Sequence, residues 1–414
     1  MAGSITSPFS LTQALVNGNI QPGHTIYLRG GYYSAIPYRL YIYGTAENPV
    51  TIKAYPGERP IILGKVNVWQ SYTIWEGIEF YSPIFSPRNA QLGIITATNG
   101  LDVNQNGAYT KLRGCIIHDF LTGIGSSVAN IEINGCAIFN IGYDDSDRGH
   151  GHGVYVNGIN ALLKNNIVFN TFGWTLHAYR EDGLNIDDCV MDGNICFNSS
   201  IYSTVTKGPN IFLGVSLGLV NRGIIKNNNT YHAEVGGNYH GYGLMLGYNG
   251  ANLSAVDCQV FDNYLAGGSY SAVLKPQQNL DMHDNTLIGP IDGFASGDYA
   301  DNTYLDAMPV SGSRVVVYPL DWITTKAHVV VYNWESANTV VVDLTSVTGL
   351  SVGDSVLARN VQDYFIDTQT LVLDASKHIT VNMQAASRSV KAPVNWTATT
   401  TTFPVFGAFV VEKA

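Results

Sequence analysis

The chain has 414 residues and a formal net charge of −10, and only 13% of its residues are charged. An acidic chain of this kind is unsuited to direct binding of nucleic acid, whose phosphates repel it. The sequence contains no run of about 18 or more apolar residues, as a membrane-spanning helix requires, so we expect no membrane insertion. Its five cysteines are too few and too scattered for a disulfide framework.

The first predicted element is a short amphipathic helix within residues 5–22, where Leu11, Ala14 and Leu15 follow helical spacing. We expect residues 1–22 to cap the N-terminal end of the fold and cover a sheet edge that would otherwise be exposed. No basic and apolar signal region follows Met1, and we expect that an export signal has been removed from a secreted protein.

The next part of the chain is a succession of short apolar runs, such as Ile167 to Phe169, that Gly, Asn and Asp residues bound. Their content of Val, Ile, Tyr and Phe is typical of strands. The position before each apolar pair recurs at intervals of roughly 20 to 35 residues, the pattern of a solenoid. The residues at this position are Cys115, Cys136, Asn166, Asn194, Asn228, Asn263 and Asn285.

An asparagine at such a corner can adopt the left-handed backbone conformation and can hydrogen-bond to the asparagine one coil above. We therefore predict an all-β chain, with a right-handed parallel β-helix over residues 23–305. Cys115 and Cys136 occupy the same position in consecutive coils, where we favour two buried thiols over a disulfide bridge.

Three segments of the N-terminal coils carry a family resemblance: GHTIYLRGGYY (23–33), NPVTIKAYPG (48–57) and YTIWEGIEF (72–80). This order resembles secreted right-handed β-helix carbohydrate-active proteins, and most of all polysaccharide lyase family six, which includes alginate lyases and chondroitinase B. The resemblance implies extracellular work on a polysaccharide. It also implies a Lys and an Arg in the central steps, for which Lys275 and Arg180 are the nearest candidates.

The composition shifts after the coils. Longer apolar strands, such as Val329 to Tyr332 and Thr339 to Leu344, follow one another, and the asparagine pattern ends. We predict that residues 310–414 form a separate antiparallel β-sandwich that supports the β-helix or contacts carbohydrate.

One strand of each coil is expected to present alternate side chains along an open groove that suits a polymer. If Val154, Leu176, Ile211, Leu244 and their alternating partners point inward, the other positions point outward. That outward set is Tyr155, Asn157, His177, Tyr179, Phe212, Met245 and Lys275. Tyr155 and His177 should then be neighbours about 4.8 Å apart along the axis.

Ionisable residues concentrate beside these strands. The loop before the first strand contains Asp144, Asp145, Asp147, Arg148, His150 and His152, and the second strand begins at Trp174 and ends in Arg180, Glu181 and Asp182. We predict a site that binds a polysaccharide here. The predicted substrate-binding residues are Asn157, Trp174, Asp145, Asp147, Arg148, His150, Glu181, Asp182, Phe212, Tyr239 and His240.

The preferred chemistry is β-elimination on a polymer that contains uronic acid, or C5 epimerisation with the same groups. Elimination needs a base, an acid and a cation that neutralises the carboxylate. The candidates are His177 as base, Tyr155 or Tyr179 as acid, and Arg180 or Lys275 as cation, with His152 beside them.

Other interpretations stay open. Hydrolysis would use two of the nearby carboxylates. Asp144, Asp145 and Asp147 can alternatively bind calcium through oxygen ligands, although no cofactor is required. A non-catalytic glycan-binding protein of the tailspike type is the alternative of a different class, and we favour a monomer.

Overall fold

The structure is a computed structural model that describes residues 3–16, 20–36, 40, 42–86, 88–95, 98–104, 106–205, 208–237, 241–248 and 252–414. Its one α-helix within these ranges, Leu11–Val16, buries Ala14 and Leu15 against the core of the first coils. Short 3-10 turns occur at Ala90–Leu92, Ser296–Tyr299, Val361–Asp363 and Ala385–Ser387. No helix in the described part of the chain is long and apolar enough to cross a membrane.

The coils build three parallel ladders of strands, because a complete coil contributes one strand to each ladder. Ladder 1 consists of Thr25–Leu28, Val50–Ala54, Thr73–Glu76, Lys111–Arg113, Glu132–Asn134, Leu162–Lys164, Val190–Asp192, Ile224–Lys226, Gln259–Phe261 and Asp281–His283.

Ladder 2 consists of Gly31–Ile36, Pro60–Val68, Glu79–Tyr81, Ile116–His118, Ala137–Ile141, Ile167–Thr171, Ile195–Phe197, Asn229–Val235, Tyr264–Gly268, Thr286–Ile288 and Thr303–Leu305. Ladder 3 consists of Leu101–Val103, Ile124–Ser126, His152–Val156, Trp174–Arg180, Ile211–Val215, Leu244–Leu246, Ala272–Leu274 and Ile291–Asp292. The long strand Pro60–Val68 joins them, since its first half pairs in ladder 2 and its second half in ladder 3.

Smaller elements decorate the coils. A minor parallel ladder contains Ile186–Asp187, Val220–Asn221, Ala255–Val256 and Gln277–Gln278, and an antiparallel hairpin pairs Tyr143–Asp144 with Gly149–His150. The predicted parallel β-helix is thus observed, and apolar side chains from all three ladders fill its interior.

The recurring asparagines form a continuous hydrogen-bonded stack at the corner between ladders 1 and 2. Each Nδ2 donates to the Oδ1 of the next, at 2.9 Å from Asn166 to Asn194 and at 2.9 Å from Asn194 to Asn228. The stack continues through Asn263 and Asn285 to Asn302.

The left-handed conformation belongs to the residue before each stacked asparagine. Asn165 and Asn227 have φ values of 52° and 56°, and Gly193 has 69°. The corner therefore uses two residues, one for the backbone turn and one for the stack, where we had expected one asparagine to do both. Cys136 extends the stack by donating its N–H to Asn166, and the five cysteines, all within the described ranges, are free.

After residue 305 the pairing becomes antiparallel. The strands are Ser313–Leu320, Ile323–Asn333, Thr339–Asp343, Ser355–Asn360, Thr368–Val372, His378–Asn382 and Phe406–Lys413. They form a five-stranded and a two-stranded sheet that share one apolar core.

This antiparallel region packs onto the outward face of ladder 2. Phe139, Phe169 and Phe197 stack there with ring centroids 5.2 and 4.7 Å apart, and Tyr231 stacks on Phe406 at 4.5 Å. A buried ion pair between Arg88 and Asp119 adds polar contacts, since both side chains also hydrogen-bond to the backbone of Val394. Much of the outward face of ladder 2 is therefore covered by the antiparallel region.

Replacing Asn228 by Ala tests the stack. The side chain makes bonds to Asn194, Asn263 and the carbonyl of Met191, all buried, so the variant leaves several polar groups without partners. We expect the free energy of unfolding to fall by about 2–4 kcal/mol, measured by chemical and thermal denaturation. The exposed Asn338→Ala is the matched control and should change it by less than about 0.5 kcal/mol. Equal free energies of unfolding for the two variants would show that the stack does not stabilise the fold.

Candidate functional site

One column of outward positions runs along ladder 3 in unbroken register. The Cα partners follow one another from coil to coil in the order Asn67, Asp102, Gly125, Tyr155, His177, Phe212, Met245, Val273 and Asp292. The residues that alternate with them, including Val154, Val156, Leu176 and Ala178, lie in the core. The predicted partition between inward and outward positions is therefore confirmed for these strands.

The middle of the column is a strip of aromatic rings. Tyr155 and His177 are register partners whose ring centroids lie 4.8 Å apart, as predicted. His177 also contacts Trp174 at 4.2 Å and stacks on Phe212 at 4.9 Å. We call the strip formed by His152, Tyr155, Trp174, His177, Tyr179, Phe212 and Tyr248 the aromatic strip.

The aromatic strip has sealed and exposed members. His177, Tyr179 and Phe212 are only 2%, 6% and 1% exposed, whereas Tyr155 and Trp174 are half-buried and Tyr248 is exposed. The expectation that Tyr155 and His177 share an open wall is thus wrong for His177, because the neighbouring rings cover it. The predicted role of His177 as a base stays a prediction.

Burial also determines the ionisation of these groups. It lowers the pKa of His177 well below its usual value and that of His152 to about 3, so both imidazoles are neutral at neutral pH. Neither ring nitrogen of His177 has a hydrogen-bond partner among the described residues. Burial raises the pKa of Tyr179 to about 12 and also raises that of Tyr155, where Glu181 and Asp182 add to the effect. Both phenols therefore keep their protons at neutral pH.

The loop before His152 forms the Tyr143–His150 hairpin above the aromatic strip. His150 stacks on Tyr143 at 4.9 Å and approaches Asp147 at 2.9 Å, a hydrogen bond that lowers the pKa of Asp147. Arg148 is exposed and lies 5.9 Å from the Trp174 ring, with its nearest carboxylate contact, Asp147, at 4.0 Å.

The predicted calcium triad does not assemble. Asp144 is buried, and its carboxylate accepts hydrogen bonds from the backbone and hydroxyl of Thr204. The groups that converge are Asp145, Asp147 and His150, whose potential ligand atoms lie within 4.8 Å of one another. Strand alternation explains the difference, since the hairpin turns Asp144 inward.

The other predicted residues lie at the margins of the aromatic strip. Arg180 makes a bidentate ion pair with exposed Asp182, beside exposed Glu181. Lys275 lies three strands from His177 and pairs with Asp292 at 3.4 Å. Asn157, two residues after Tyr155, is half-buried. Tyr239 and His240 fall outside the described residues.

A polar notch that we did not predict lies beside Tyr155 in the same column. Gly125 separates Tyr155 from Asp102, and a Cβ atom at Gly125 would come within 3.0 Å of Asp102 Oδ1. Asn99 donates to that oxygen at 2.8 Å, and Lys65 pairs with the other carboxylate oxygen. We call Lys65, Asn99, Asp102 and Gly125 the notch. The sequence feature that could have indicated the notch is Asp102, a carboxylate between the core residues Leu101 and Val103 of one strand.

No family model matches the sequence, and no curated protein is similar to it. A mannuronic acid specific polysaccharide family 6 lyase from human gut microbiota is 16% identical, with 68% of this chain and 73% of the lyase covered and a TM-score of 0.38.

A GH136 lacto-N-biosidase from Eubacterium ramulus is 13% identical over 73% of this chain and 65% of its own, with a TM-score of 0.45. The Dettilon tailspike protein is 12% identical over 88% and 87%, with a TM-score of 0.32. A lyase of the family named by the sequence resemblance is thus among the structures to which this chain is similar. At these identities and TM-scores the likeness carries no activity, which has to be argued from the site.

Replacing His177 by Phe tests whether this ring serves packing. The folded pKa of His177 lies below the unfolded value, so the unfolded chain binds the proton first as the pH falls. Between about pH 7.5 and about pH 5 the native protein should lose about 2 kcal/mol of stability through this residue, and His177→Phe should recover it.

The measurement is the free energy of unfolding at the two pH values. The control is His283→Gln, because the hydrogen bond to Asp284 raises the pKa of His283 and gives the opposite sign. If the free energy of unfolding of His177→Phe depends on pH as that of the unchanged protein does, the native protein does not hold His177 as a buried, neutral imidazole.

Proposed function

We propose that this protein binds a polysaccharide along the outward face of ladder 3 and acts on it at the junction of the aromatic strip and the notch. The observation that carries the proposal is the unbroken column from Asp102 through Gly125 and Tyr155 to the ring of His177. Partly exposed aromatic rings beside a cluster of ionisable groups suit a sugar ring that stacks while a neighbouring bond reacts.

The polymer that fits best carries uronic acid. Arg148 lies beside Trp174 with its nearest carboxylate at 4.0 Å, so its guanidinium is available to a substrate carboxylate. Lys65, which is paired with Asp102 and partly exposed, places a second cation on the other side of Tyr155. Guanidinium and ammonium groups that flank an aromatic platform favour an acidic sugar over a neutral one.

The chemistry that these groups support is β-elimination. A cation neutralises the substrate carboxylate, which makes the C5 proton more acidic, and a base removes that proton. The electron pair forms the C4–C5 double bond as the bond from C4 to the glycosidic oxygen breaks. That leaving oxygen then takes up a proton.

The notch supplies the base and Tyr155 the acid in this proposal. Asp102 is the carboxylate of the notch, a buried side chain whose two oxygens contact Asn99 and Lys65, and Lys65 contributes positive charge. Tyr155 retains its proton at neutral pH and can donate it to the leaving oxygen. Asp102 and Tyr155 are two strand spacings apart, about 9.6 Å between backbones, which leaves room for one sugar ring.

A second candidate function is glycan binding without turnover. The observation that favours it is the sealed, neutral state of His177, which makes the centre of the aromatic strip a packing surface. Secretion and action outside the cell are expectations for either function.

Incubation with alginate, pectate, chondroitin and a neutral glucan tests the reaction class. We expect an ultraviolet-absorbing unsaturated product from at least one uronate polymer and none from the glucan. New reducing ends without that absorbance would replace elimination by hydrolysis. Binding with neither product would leave the second candidate.

Tyr155→Phe tests the acid. The variant keeps the ring and removes the proton, so we expect turnover to fall by about 100-fold or more while binding of the polymer is retained. The exposed Tyr109→Phe, whose ring stacks on Tyr72 away from ladder 3, is the matched control and should keep the full rate. Full activity in Tyr155→Phe would exclude this residue as the acid.

A further inference from the structure

A cleft of about 680 Å³ lies between the first coils of the β-helix and the C-terminal antiparallel region. Arg59 and Arg113 line it from the β-helix, and Trp322, Arg359 and Phe365 line it from the antiparallel region. Its volume falls in the range of about 300–1,000 Å³ that small-molecule sites occupy. It opens at ladders 1 and 2 and shares no residue with the aromatic strip or the notch.

The cleft concentrates positive charge in an acidic protein. Six lysine and arginine side chains line it against four glutamates, whereas the whole chain carries a net charge of −10. Within the cleft, Glu412 is shared between Lys326 at 3.0 Å and Arg359 at 2.8 Å. Glu132, which lies outside the lining, is shared between Arg113 and Lys111. The other three cations, Lys53, Arg59 and Lys413, each have one carboxylate partner. The ion pairs therefore leave unbalanced positive charge, which a bound anion would neutralise.

Guanidinium groups alternate with aromatic rings along its walls. The Arg59 guanidinium lies 3.6 Å from the centroid of Phe365, and that of Arg113 lies 5.6 Å from Trp322. Trp322 is fixed in place against the corner glycines Gly114 and Gly135, where a Cβ atom would come within 3.6 and 2.6 Å of its ring. Ring faces suit the apolar side of a pyranose, and guanidinium groups bind carboxylates with two hydrogen bonds.

We propose that this cleft is a second carbohydrate site that binds a carboxylated oligosaccharide. The charge and the volume of the cleft do not depend on the proposed function. The choice of uronate as the acidic sugar rests on the proposed function. A nucleic acid fits less well, because the acidic surface of the rest of the chain would repel an extended polyanion. A site in this position would hold a polymer to the protein away from the face of ladder 3.

The test measures binding of hexagalacturonate and hexamannuronate to the full chain by calorimetry, with maltohexaose as the uncharged ligand. The protein carries Trp174→Ala, which disables the aromatic strip. In this background we expect Arg113→Gln and Trp322→Ala each to weaken oligouronate binding by about tenfold or more. Arg113→Lys keeps the charge but loses the bidentate geometry, and it should weaken binding by an intermediate factor.

The control is Arg222→Gln, an exposed arginine that is paired with Asp188 and lies just before the strand Ile224–Lys226, four strands along ladder 1 from Arg113 and outside the cleft, and it should leave affinity unchanged. Each variant is accepted only with the thermal midpoint of its parent. Undiminished oligouronate binding in Arg113→Gln and Trp322→Ala overturns the proposal. Equal binding of maltohexaose, or of a single-stranded oligonucleotide at the same site, overturns its assignment to acidic sugars.

The same ligands separate this proposal from the proposed function. Turnover without any effect of the cleft variants on binding removes the second site and keeps the activity on ladder 3. Binding that depends on Arg113 and Trp322, in a protein that turns over no uronate polymer, keeps the cleft and removes the activity.

Discussion

The buried stack of asparagine side chains is the constraint on which the other features depend. Each amide of the stack bonds to the coils on either side, so a coil cannot shift by one residue without leaving buried polar atoms without partners. Because side chains alternate along a strand, a shift of one residue would exchange the core and the outward face. The stack at the corner between ladders 1 and 2 thereby fixes the register of the coils, and this register determines which residues of ladder 3 point outward.

The same repeat produces two outward aromatic columns with different fates. On ladder 2, Phe139, Phe169 and Phe197 stack and are buried under the antiparallel region. On ladder 3, the rings of Tyr155, Trp174 and Tyr248 keep part of their surface exposed. Stacked rings at strand spacing follow from parallel in-register coils, and the two columns differ in whether the antiparallel region covers them.

Positive charge is concentrated in two places on this acidic protein. The chain is acidic as a whole, yet Lys65 and Arg148 flank Tyr155, and Arg59, Arg113 and Arg359 gather at the cleft. Most cations elsewhere are matched with a neighbouring carboxylate, such as Arg222 with Asp188. Lys65 and Arg59 also have carboxylate partners, Asp102 and Glu79. An acidic ligand therefore gains most beside Arg148, whose nearest carboxylate contact is at 4.0 Å, and beside Lys326 and Arg359, which share Glu412.

The sequence by itself determined the repeat, the strands and the direction of their side chains. The spacing of the asparagines and the alternation around Val154 and Leu176 depend only on local periodicity, which a sequence displays directly. These patterns were sufficient to place Tyr155 beside His177 and to separate the coils from the longer strands after residue 310.

The burial of each side chain and the identity of its contacts were decided by the tertiary structure alone. His177 points outward yet is sealed, because rings from its own strand and from both neighbouring strands meet over it. The notch joins Lys65 to Asp102 on the neighbouring strand, and the cleft joins Arg59 to Phe365 across more than half the chain. Such contacts depend on how distant segments pack in space, and this is the information that periodicity within one segment lacks.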